Sequence, residues 1–574
     1  MSKEQGSESA VSRSQSTKEG EMAKEEEAPK KVSRRQFVKG AAVGGAGVAA
    51  AGVLASCAPA AAPTTPPEPV PTCPPAPTCP PAAECAPGVP YPVEVPDKWD
   101  RETDVLILGA GGAGLCAAIE AKDLGANVLV LEKSDVAMGG TGICGGGTAA
   151  AGTEWQERYG VEDSGESFAQ DWLKSGEYVG DPEVIRAVTN LSGETLDWMV
   201  EEGVQFVEKP PGPLSPHSVP RIYSVVTLGI GTEFMRGLLE ATKKRGIEIL
   251  YEAAADKLYR NEQGRVIGAR AVDADGNELN FKAKRAVIVA TGGYAGSPEV
   301  LQKYMPGLGD LMKKAKDFVS FSWADCTGAA MDFAREIGAA LSIIQWPALY
   351  SHCVKTSPGR GMLAVEHVAM AAGAIRVNTE GKRFMDETSM YQIYTTKPWL
   401  YQPQIRLLVI EDENIQNQLR TSKDFFGQVI DEQLNSGNPV AQKADTIEEL
   451  ATKFGIPPEE LRKTVDTYNG YVEAGKDPDF GRPVLPVKLE NPPFYGLEQC
   501  LGTALTKGGL KTNAKAEAID TEDQPIPGLY FAGEVASGEA HGAATTHVGG
   551  GCTALAFNMG RIAARNATAE TPWE

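Results

Sequence analysis

A glycine turn between two apolar runs narrows the folds open to this chain. Residues 104–133 read DVLILGAGGAGLCAAIEAKDLGANVLVLEK, which predicts a strand, a turn, a helix and a second strand. Gly109, Gly111 and Gly114 have the GxGxxG spacing, which provides a tight turn, close approach to a pyrophosphate and helix–strand packing. Glu132 closes the second strand, where a carboxylate binds ribose hydroxyls. This unit predicts a doubly wound, Rossmann-like α/β domain that binds a dinucleotide.

Three further segments favour FAD as the dinucleotide. RAVIVATGGY (285–294) and IPGLYFAGEVASG (526–538) each predict a strand followed by a glycine turn, and GGTGICGGG (139–147) is a glycine-rich loop. The sequence has no second strand–GxGxxG–helix unit, which a built-in NAD(P)H domain would normally show. The predicted FAD contacts are Gly109, Gly111, Gly112, Ala113, Gly114, Glu132, Lys133, Gly139, Gly140, Thr141, Gly146, Gly147, Thr291, Gly292, Gly533 and Glu534.

Composition excludes some partners. The 574 residues carry a formal charge of −21, and 42% of them are apolar, which is ordinary globular usage. A chain this acidic has no cationic field to attract nucleic acid or an anionic membrane surface. We therefore expect no nucleic-acid partner.

The first 56 residues are predicted to direct export rather than to fold. SRRQFVKG (33–40) is a twin-arginine pattern, and the apolar run after it ends in LASC, which resembles a bacterial lipobox. We predict export by the twin-arginine route and a lipid on Cys57, which gives a periplasmic or cell-surface lipoprotein. A plain signal peptide or an uncleaved anchor is the alternative.

Residues 57–97 predict an extended tether, because they are rich in Pro and Ala. The tether contains Cys73, Cys79 and Cys85, whose role the sequence does not indicate. The spacings of four-thiolate Fe–S sites are absent, as is a CxxCH haem motif. We therefore expect no metal site and an external electron partner, either a cytochrome c or a quinol-linked protein.

With these motifs the chain resembles the FAD-dependent oxidoreductases of the fumarate reductase/succinate dehydrogenase flavoprotein family. That family includes soluble fumarate reductases, urocanate reductase and the 3-ketosteroid dehydrogenases. The resemblance covers roughly 100–574 and also rests on GKRFMDE (381–387), LTKGGLKT (505–512) and GEAHGAATTHVGGG (538–551). It implies an FAD-binding domain, 98–345 and 501–574, interrupted by an α+β capping domain, 346–500, with substrate between cap and flavin.

The resemblance also bears on how FAD is held. In the membrane-bound members of the family, a histidine in the segment matching 139–147 ties FAD covalently. Gly140, Thr141 and Gly142 stand there in this chain. We therefore predict non-covalent FAD.

At the family's anion-binding positions, this chain lacks most of the residues that bind fumarate. The arginine that moves the proton in fumarate reductases is missing after RFMDE (383–387), where Thr388, Ser389, Met390 and Tyr391 follow, and the tail arginine falls at His547. Trp346 stands where a histidine is expected, although the tail histidine survives as His541. A buried dicarboxylate depends on charge-assisted bonds of about 1.5–3 kcal/mol each. These replacements indicate a substrate more apolar than fumarate.

The ketosteroid dehydrogenases are more similar at these positions. They carry a tyrosine after their RFxxE segment that transfers the proton, and Tyr391 occupies that place. Their backbone N–H that polarises the substrate ketone corresponds to Gly550. Their second tyrosine is absent, since Thr546 and His547 stand there, so His541 or His547 would donate to the carbonyl instead. The predicted catalytic residues are Tyr391, His541, His547 and Gly550.

The sequence thus predicts an exported FAD-dependent oxidoreductase that transfers hydride between flavin N5 and a carbon–carbon bond conjugated to a carbonyl. The expected substrate is an apolar or aromatic unsaturated carbonyl compound of the enone or ketosteroid kind, with reduction favoured in vivo. Two alternatives remain open: an enoate reductase of the urocanate or cinnamate kind, and a non-catalytic electron-carrier subunit. Glu366 is expected to be a solvated cap glutamate, with a place in a proton route as the alternative. His217 and His352 have no assigned role.

Overall fold

The predicted strands of the FAD-binding segments lie side by side in one sheet. The computed structural model describes residues 95–573 except 208–216, 227–230, 344, 365, 389–397, 423 and 542–547. Its strands are β1 (Arg101–Leu108), β2 (Val128–Leu131), β3 (Gly147–Ala149), β4 (Ile222–Ser224), β5 (Glu248–Leu250), β6 (Ala254–Arg260), β7 (Val266–Val272), β8 (Glu278–Val289), β9 (Phe318–Ser320), β10 (Trp346–Ser357), β11 (Arg360–Leu363), β12 (Ile375–Asn378), β13 (Leu407–Asp412), β14 (Ala441–Ala444), β15 (Phe494–Lys507), β16 (Glu517–Ile519) and β17 (Pro525–Phe531).

Helices cover both sheets. They are Gly112–Asp123, Gly139–Gly142, Glu154–Arg158, Gly165–Ser175, Pro182–Glu201, Thr232–Lys244, Pro298–Tyr304, Pro306–Lys314, Ala329–Glu336, His367–Ala372, Glu413–Ser422, Phe425–Asn435, Ile447–Phe454, Pro458–Ala474, Gly538–His541 and Gly551–Ala569, with 3₁₀ turns at Pro403–Ile405 and Gly533–Val535. Among the described residues, none of these helices is long and apolar enough to cross a membrane.

The first sheet has eight strands, and its centre is parallel. The strands β17, β8, β1, β2 and β5 run parallel in that order, β16 joins β17 antiparallel, and β6 and β7 extend from β8. Val105 to Leu108 of β1 are fully buried, as apolar strands covered on both faces should be. In register, Leu108 lies between Leu131 of β2 and Val289 of β8. This is the predicted doubly wound α/β fold.

The helix that follows the glycine turn packs against the C-terminal helix. Helix Gly112–Asp123 packs against the C-terminal helix Gly551–Ala569, where Gly560 lies so close to the Ala113 carbonyl that a Cβ would overlap it. Arg561 Nε donates to Glu120 Oε2 at 2.7 Å inside this contact. The fold therefore places the start of the C-terminal helix next to the predicted FAD segments.

The second sheet has seven strands and is built mainly from residues 346–507. Strand β15 is central: it pairs with β13, β14 and β10 antiparallel and with β9 parallel. Its fourteen residues are mostly buried, under helices Ile447–Phe454 and Pro458–Ala474 among others. The end of β15 contacts Glu534, which follows strand β17 of the first sheet. The Thr506 backbone N–H donates to Glu534 at 2.8 Å. The predicted boundaries of the capping domain, 346 and 500, stay a prediction.

Candidate active site

The glycine turn forms a cradle made of backbone. Gly109 has φ +105°, and a Cβ there would lie 2.5 Å from the Ala290 carbonyl oxygen. A Cβ on Gly114 would overlap the carbonyl oxygen of Gly109. A Cβ on Gly111, in contrast, would meet nothing within 4 Å, and the helix that begins at Gly112 has no side-chain cap. The cradle therefore leaves open space in front of unpaired helix N–H groups, which is the surrounding that a pyrophosphate requires.

The other predicted FAD segments converge on this cradle. A Cβ on Gly139 would lie 3.4 Å from Gly111 Cα, and a Cβ on Gly533 would lie 2.9 Å from Ala113 Cβ. Gly140 faces Glu534 Oε2, at 3.7 Å from its Cβ position. Segments from three distant parts of the sequence thus surround one space.

The remaining predicted FAD residues lie at the borders of the same region. Thr141 Oγ1 is 2.5 Å from the Cβ position of Gly112, and the Gly147 carbonyl accepts from Thr553 at 2.7 Å. Gly146 and Gly292 both have positive φ, +73° and +76°, and Thr291 follows Ala290 beside Gly109.

Lys133 is the exception among the predicted contacts. Its ammonium lies 3.6 Å from Asp325, and its side chain is 45% exposed. The structure therefore gives Lys133 a surface ion pair, and its predicted role toward FAD stays a prediction.

Two carboxylates of the site can accept hydrogen bonds from hydroxyl groups of a bound cofactor. Glu132 accepts the Ala110 N–H at 2.7 Å and the Ser134 N–H at 2.9 Å. Glu534 receives hydrogen bonds only on Oε1, from Thr506, among the described residues. Burial raises the pKa of Glu534 to about 7. Its second oxygen accepts no hydrogen bond from the described residues, so it is free to accept one from a hydroxyl of the ribityl chain. The cradle and both acids fit FAD.

Lys507 is a buried cation at this site that the sequence did not single out. It ends β15 with no exposed surface, and burial lowers the pKa of its ammonium to about 7. Cys552, in the first turn of the C-terminal helix, lies close enough to interact with it electrostatically. The segment LTKGG contained Lys507, but nothing in the spacing distinguished it from an exposed lysine.

The tail glycines form the turn before the C-terminal helix. Gly550 caps that helix with φ +69°, and its carbonyl accepts the Ala149 N–H at 3.2 Å. The N–H of Gly550 donates to none of the described residues. On the other side of this turn, His217 Nε2 lies 2.8 Å from the Gly549 carbonyl oxygen. The turn thus presents an N–H at the positive end of a helix, where negative charge is stabilised.

His541 lies next to this turn through a shared tryptophan. Its ring stacks on Trp172, with centroids 5.6 Å apart and planes 18° apart. Trp172 Cη2 also lies 3.3 Å from the Cβ position of Gly551. The structure therefore brings His541 and Gly550 into one neighbourhood. Tyr391 and His547, the other two predicted catalytic residues, lie outside the described residues.

The prediction that Glu366 is solvated was wrong. Glu366 has no exposed surface, because β15 and β12 cover it. Gln499 Nε2 donates to it at 3.0 Å, His352 Nδ1 lies 3.1 Å away, and it forms an ion pair with Arg376. Burial lowers the pKa of His352 to about 3, so its ring is neutral.

A buried ion network extends from this glutamate through the cap. Glu387 accepts from Arg383 at 2.6 Å and from Arg482 at 3.3 Å, and Arg383 also donates to Asp477 at 2.8 Å. The Arg376 backbone N–H lies 3.4 Å from Glu387 and connects the two halves. We name this group the cap network: His352, Glu366, Arg376, Arg383, Glu387, Asp477, Arg482 and Gln499. Its partners are 4 to 133 residues apart, and the sequence alone could not pair the distant ones.

This chain is similar to several proteins of known function. A model of the FAD binding domain matches residues 104–551. A fumarate reductase (cytochrome) of Shewanella frigidimarina is 33% identical over 81% of this chain and 76% of its own length. A digoxin reductase of Eggerthella lenta is 30% identical over 95% of this chain and 98% of its own length. The solved 3-ketosteroid-Δ4-(5α)-dehydrogenase from Rhodococcus jostii RHA1, in complex with 4-androstene-3,17-dione, is 25% identical, with a TM-score of 0.63 over 83% of this chain and 98% of its own.

The fold and the cradle define a flavoprotein oxidoreductase with FAD as cofactor. More narrowly, the chain belongs to the FAD-dependent fumarate reductase/succinate dehydrogenase flavoprotein family. It is an enzyme that acts on carbon–carbon bonds, so the alternative of a non-catalytic carrier loses its support. In the part of the chain that the structure describes, no group of three or more His, Cys, Asp or Glu could hold a metal ion.

Proposed function

We propose that this enzyme reduces a carbon–carbon double bond conjugated to a carbonyl, on a substrate more apolar than fumarate. The observation that carries the proposal is the Gly550 N–H, which is unpaired among the described residues and lies at a helix N-terminus. A donor in that position stabilises the negative charge that develops on a carbonyl oxygen as the β-carbon is reduced. The structural likeness to a ketosteroid dehydrogenase supports a ketone as the polarised group.

The residues of the chain divide the work around the cofactor. FAD, when bound, supplies a hydride at N5. Gly550 and, by our proposal, His541 or His547 polarise the carbonyl. Tyr391 gives the proton to the carbon next to that carbonyl, because it holds the position of the family's proton-transfer residue. A phenol with an ordinary pKa of about 10 is a sufficient acid once the enolate has formed beside it.

Replacement of Tyr391 tests this assignment. Unsaturated ketones and acids are first screened with reduced viologen as donor, and the best substrate is then used for the variants. A positioned acid contributes about 10²–10⁴-fold, so Tyr391→Phe should lower kcat by about that factor with normal FAD content. Tyr394→Phe is the matched control and should change kcat much less. Near-normal turnover by Tyr391→Phe would remove the tyrosine from the mechanism.

An enoate reductase is the second candidate. Its support is the 33% identity to a fumarate reductase, which acts on an unsaturated acid. The same screen separates the two candidates, because each unsaturated ketone can be paired with the acid of the same carbon skeleton. Turnover of the acids with no turnover of the matched ketones would favour the enoate reductase.

The cofactor is proposed to be non-covalent. Residues 139–147 contain no histidine, and the structure places Gly140 beside Glu534, in the space that the cofactor segments surround. Acid precipitation should therefore release all the FAD into solution. Yellow colour that stays on the denatured chain would contradict this.

Export and anchoring are proposed from the N-terminal sequence. The twin-arginine pattern and LASC support transport of the folded enzyme and a lipid on Cys57, with electrons from a cytochrome c or a quinol-linked protein. Intact mass of the membrane fraction should show a mature chain that begins at lipidated Cys57, and Cys57→Ser should leave the membrane. Cleavage at another residue would refute the lipid anchor.

A further inference from the structure

His217 is a buried histidine with two well-defined neighbours. It is 5% exposed, and each of its two ring nitrogens lies within hydrogen-bond distance of another residue. Nε2 lies 2.8 Å from the carbonyl oxygen of Gly549, 332 residues away in sequence. Nδ1 lies 3.2 Å from NH1 of Arg221. The ring therefore connects an arginine to the backbone of the tail turn.

The neighbours of His217 determine where its proton lies. A guanidinium donates hydrogen bonds and accepts none, so Nδ1 must offer its lone pair to Arg221. The proton then resides on Nε2, which donates to the Gly549 carbonyl. Burial, helped by the charge of Arg221, lowers the pKa of His217 to about 4, so the ring is neutral at ordinary pH.

Arg221 is itself held in place. Its side chain is fully buried and donates to Asp163 at 2.8 Å, to Ser167 at 3.1 Å and to Asp171. The face of Phe168 lies 5.1 Å from the guanidinium carbon. Four contacts thus fix this arginine before it meets His217. An immobile donor of this kind leaves the imidazole a single tautomer and a single orientation.

The hydrogen bond of His217 acts on the peptide group that carries the Gly550 N–H. The carbonyl of Gly549 and the N–H of Gly550 belong to one planar trans peptide, so they point in opposite directions. A donor on the carbonyl fixes the direction of the N–H and polarises it, because successive hydrogen bonds strengthen one another. The Gly550 carbonyl is fixed as well, by the Ala149 N–H at 3.2 Å.

We infer that His217 is a positioning residue: it orients and polarises the Gly549–Gly550 peptide so that its N–H donates to the substrate carbonyl. This inference rests on the proposed function, in which the Gly550 N–H stabilises the developing enolate. Arg221, Asp163 and Asp171 act one step further away, since they hold His217 in the donating tautomer. The contribution is made to the reaction barrier rather than to the binding of the apolar substrate.

Two replacements of His217 separate positioning from packing. His217→Phe keeps a ring against Phe168 but removes both nitrogens, and His217→Gln keeps one donor and one acceptor on a flexible chain. Loss of a whole oxyanion donor costs about 10²–10³-fold in kcat, and misplacement of one should cost about tenfold. We expect His217→Phe to lower kcat about tenfold with little change in KM, and His217→Gln to stay within about threefold of the wild type.

A binding probe gives a readout that does not depend on turnover. p-Nitrophenol absorbs at longer wavelength when ionised, so its spectrum in the oxidised holoenzyme reports stabilisation of an oxyanion at the Gly550 N–H. His217→Phe should bind less of the ionised form than the wild type, and His217→Gln should restore it. His217→Asn, whose shorter amide cannot reach Gly549, is the second loss variant if His217→Phe fails to retain FAD.

The outcomes distinguish this inference from the proposed function. A wild-type enzyme that neither reduces ketones nor ionises p-nitrophenol would overturn both. A wild-type enzyme that does both, with His217→Phe and His217→Asn equal to it, would overturn the role of His217 alone. Equal losses in the Phe, Asn and Gln variants would indicate a packing role and would also overturn the inference.

Discussion

The FAD cradle and the cap network hold polar groups in opposite ways. In the cradle, the donors are backbone N–H groups next to glycines, and Gly111 faces open space. In the cap network, charged side chains satisfy one another: Glu387 accepts from two arginines, and Glu366 pairs with a third. The cradle therefore leaves its polar groups to a ligand, whereas the network has almost none to offer.

This difference suggests what each region does for the reaction. The empty cradle leaves polar groups without partners: its helix has no side-chain cap, and Oε2 of Glu534 accepts no hydrogen bond from the described residues, whereas Oε1 accepts from Thr506. The network satisfies most of its polar groups without a ligand, although Arg376 Nε and Gln499 Oε1 lack partners among the described residues, and we expect it to act as a rigid support. Arg383 and Glu387 lie in the segment that leads to Tyr391, and Asp477 and Arg482 tie that segment to the rest of the cap. We expect the network to support the segment that carries Tyr391, the residue proposed to transfer the proton, rather than to move protons.

The largest effect is expected from a methyl group in the cradle. Gly114→Ala would place a Cβ on the carbonyl oxygen of Gly109, and neither that backbone oxygen nor the helix backbone that carries the Cβ can move without opening the turn. We expect a folded variant without detectable FAD, measured as the ratio of absorbance at 450 nm to that at 280 nm.

The matched control is a glycine in another helix. A Cβ on Gly470, within helix Pro458–Ala474, would meet nothing within 4 Å. Gly470→Ala should keep full FAD content and gain about 0.5–1 kcal/mol of stability. Normal FAD content in Gly114→Ala would show that the cradle is less tightly packed than the structure indicates.

The second-largest effect is expected on the free energy of unfolding, from a change in the cap network that should leave FAD bound. Arg376→Met removes the arginine that pairs with the buried Glu366 and leaves an uncompensated charge. Removal of one partner of a buried pair costs about 3–5 kcal/mol, so the free energy of unfolding in urea should fall by that amount. The double variant Arg376→Met/Glu366→Leu should recover most of the loss, since no charge remains unpaired.

A surface pair provides the control for the network. Arg462 lies 2.8 Å from Asp466 on an exposed helix face. Arg462→Met should change the free energy of unfolding by less than about 1 kcal/mol. Similar losses for Arg376→Met and Arg462→Met would mean that the network adds no more than a surface ion pair.

The same contrast explains how much could be predicted from the sequence. Gly109, Gly111 and Gly114 are needed for the local geometry of the backbone in the turn, so their spacing predicted the fold and the cradle. His217 and Gly549 are 332 residues apart, and their contact depends on the tertiary fold. Glu366 is a lone acid in the mostly apolar run LAVEHVAM (363–370), and its partners come from β12 and from β15, which follows more than a hundred residues later. Contacts between distant residues leave no periodic signal in a single sequence.

When the variants are compared at pH 5, the smallest effect is expected from a buried acid that belongs to neither the cradle nor the cap network. Glu411 in β13 has no exposed surface, and neither of its oxygens has a hydrogen-bond partner among the described residues. Burial, together with the neighbouring Asp412, raises its pKa well above the ordinary value. Between the ordinary glutamate pKa and this raised value, the folded chain binds one proton more than the unfolded chain. Stability must therefore fall as pH rises through that window.

Glu411→Gln removes the titratable group but keeps the shape of the side chain. The stability of the variant should therefore fall less steeply with rising pH than that of the wild type. The variant should match the wild type near pH 4.5 and become more stable above it, with the difference growing by up to about 1.4 kcal/mol per pH unit. Urea unfolding at pH 5, 6, 7 and 8 measures this difference, and Glu432→Gln, at an exposed position of helix Phe425–Asn435, is the control for a glutamate that the fold leaves exposed. A constant offset for Glu411→Gln would show that Glu411 is ionised in the folded chain. It would then have to be paired like the carboxylates of the cap network.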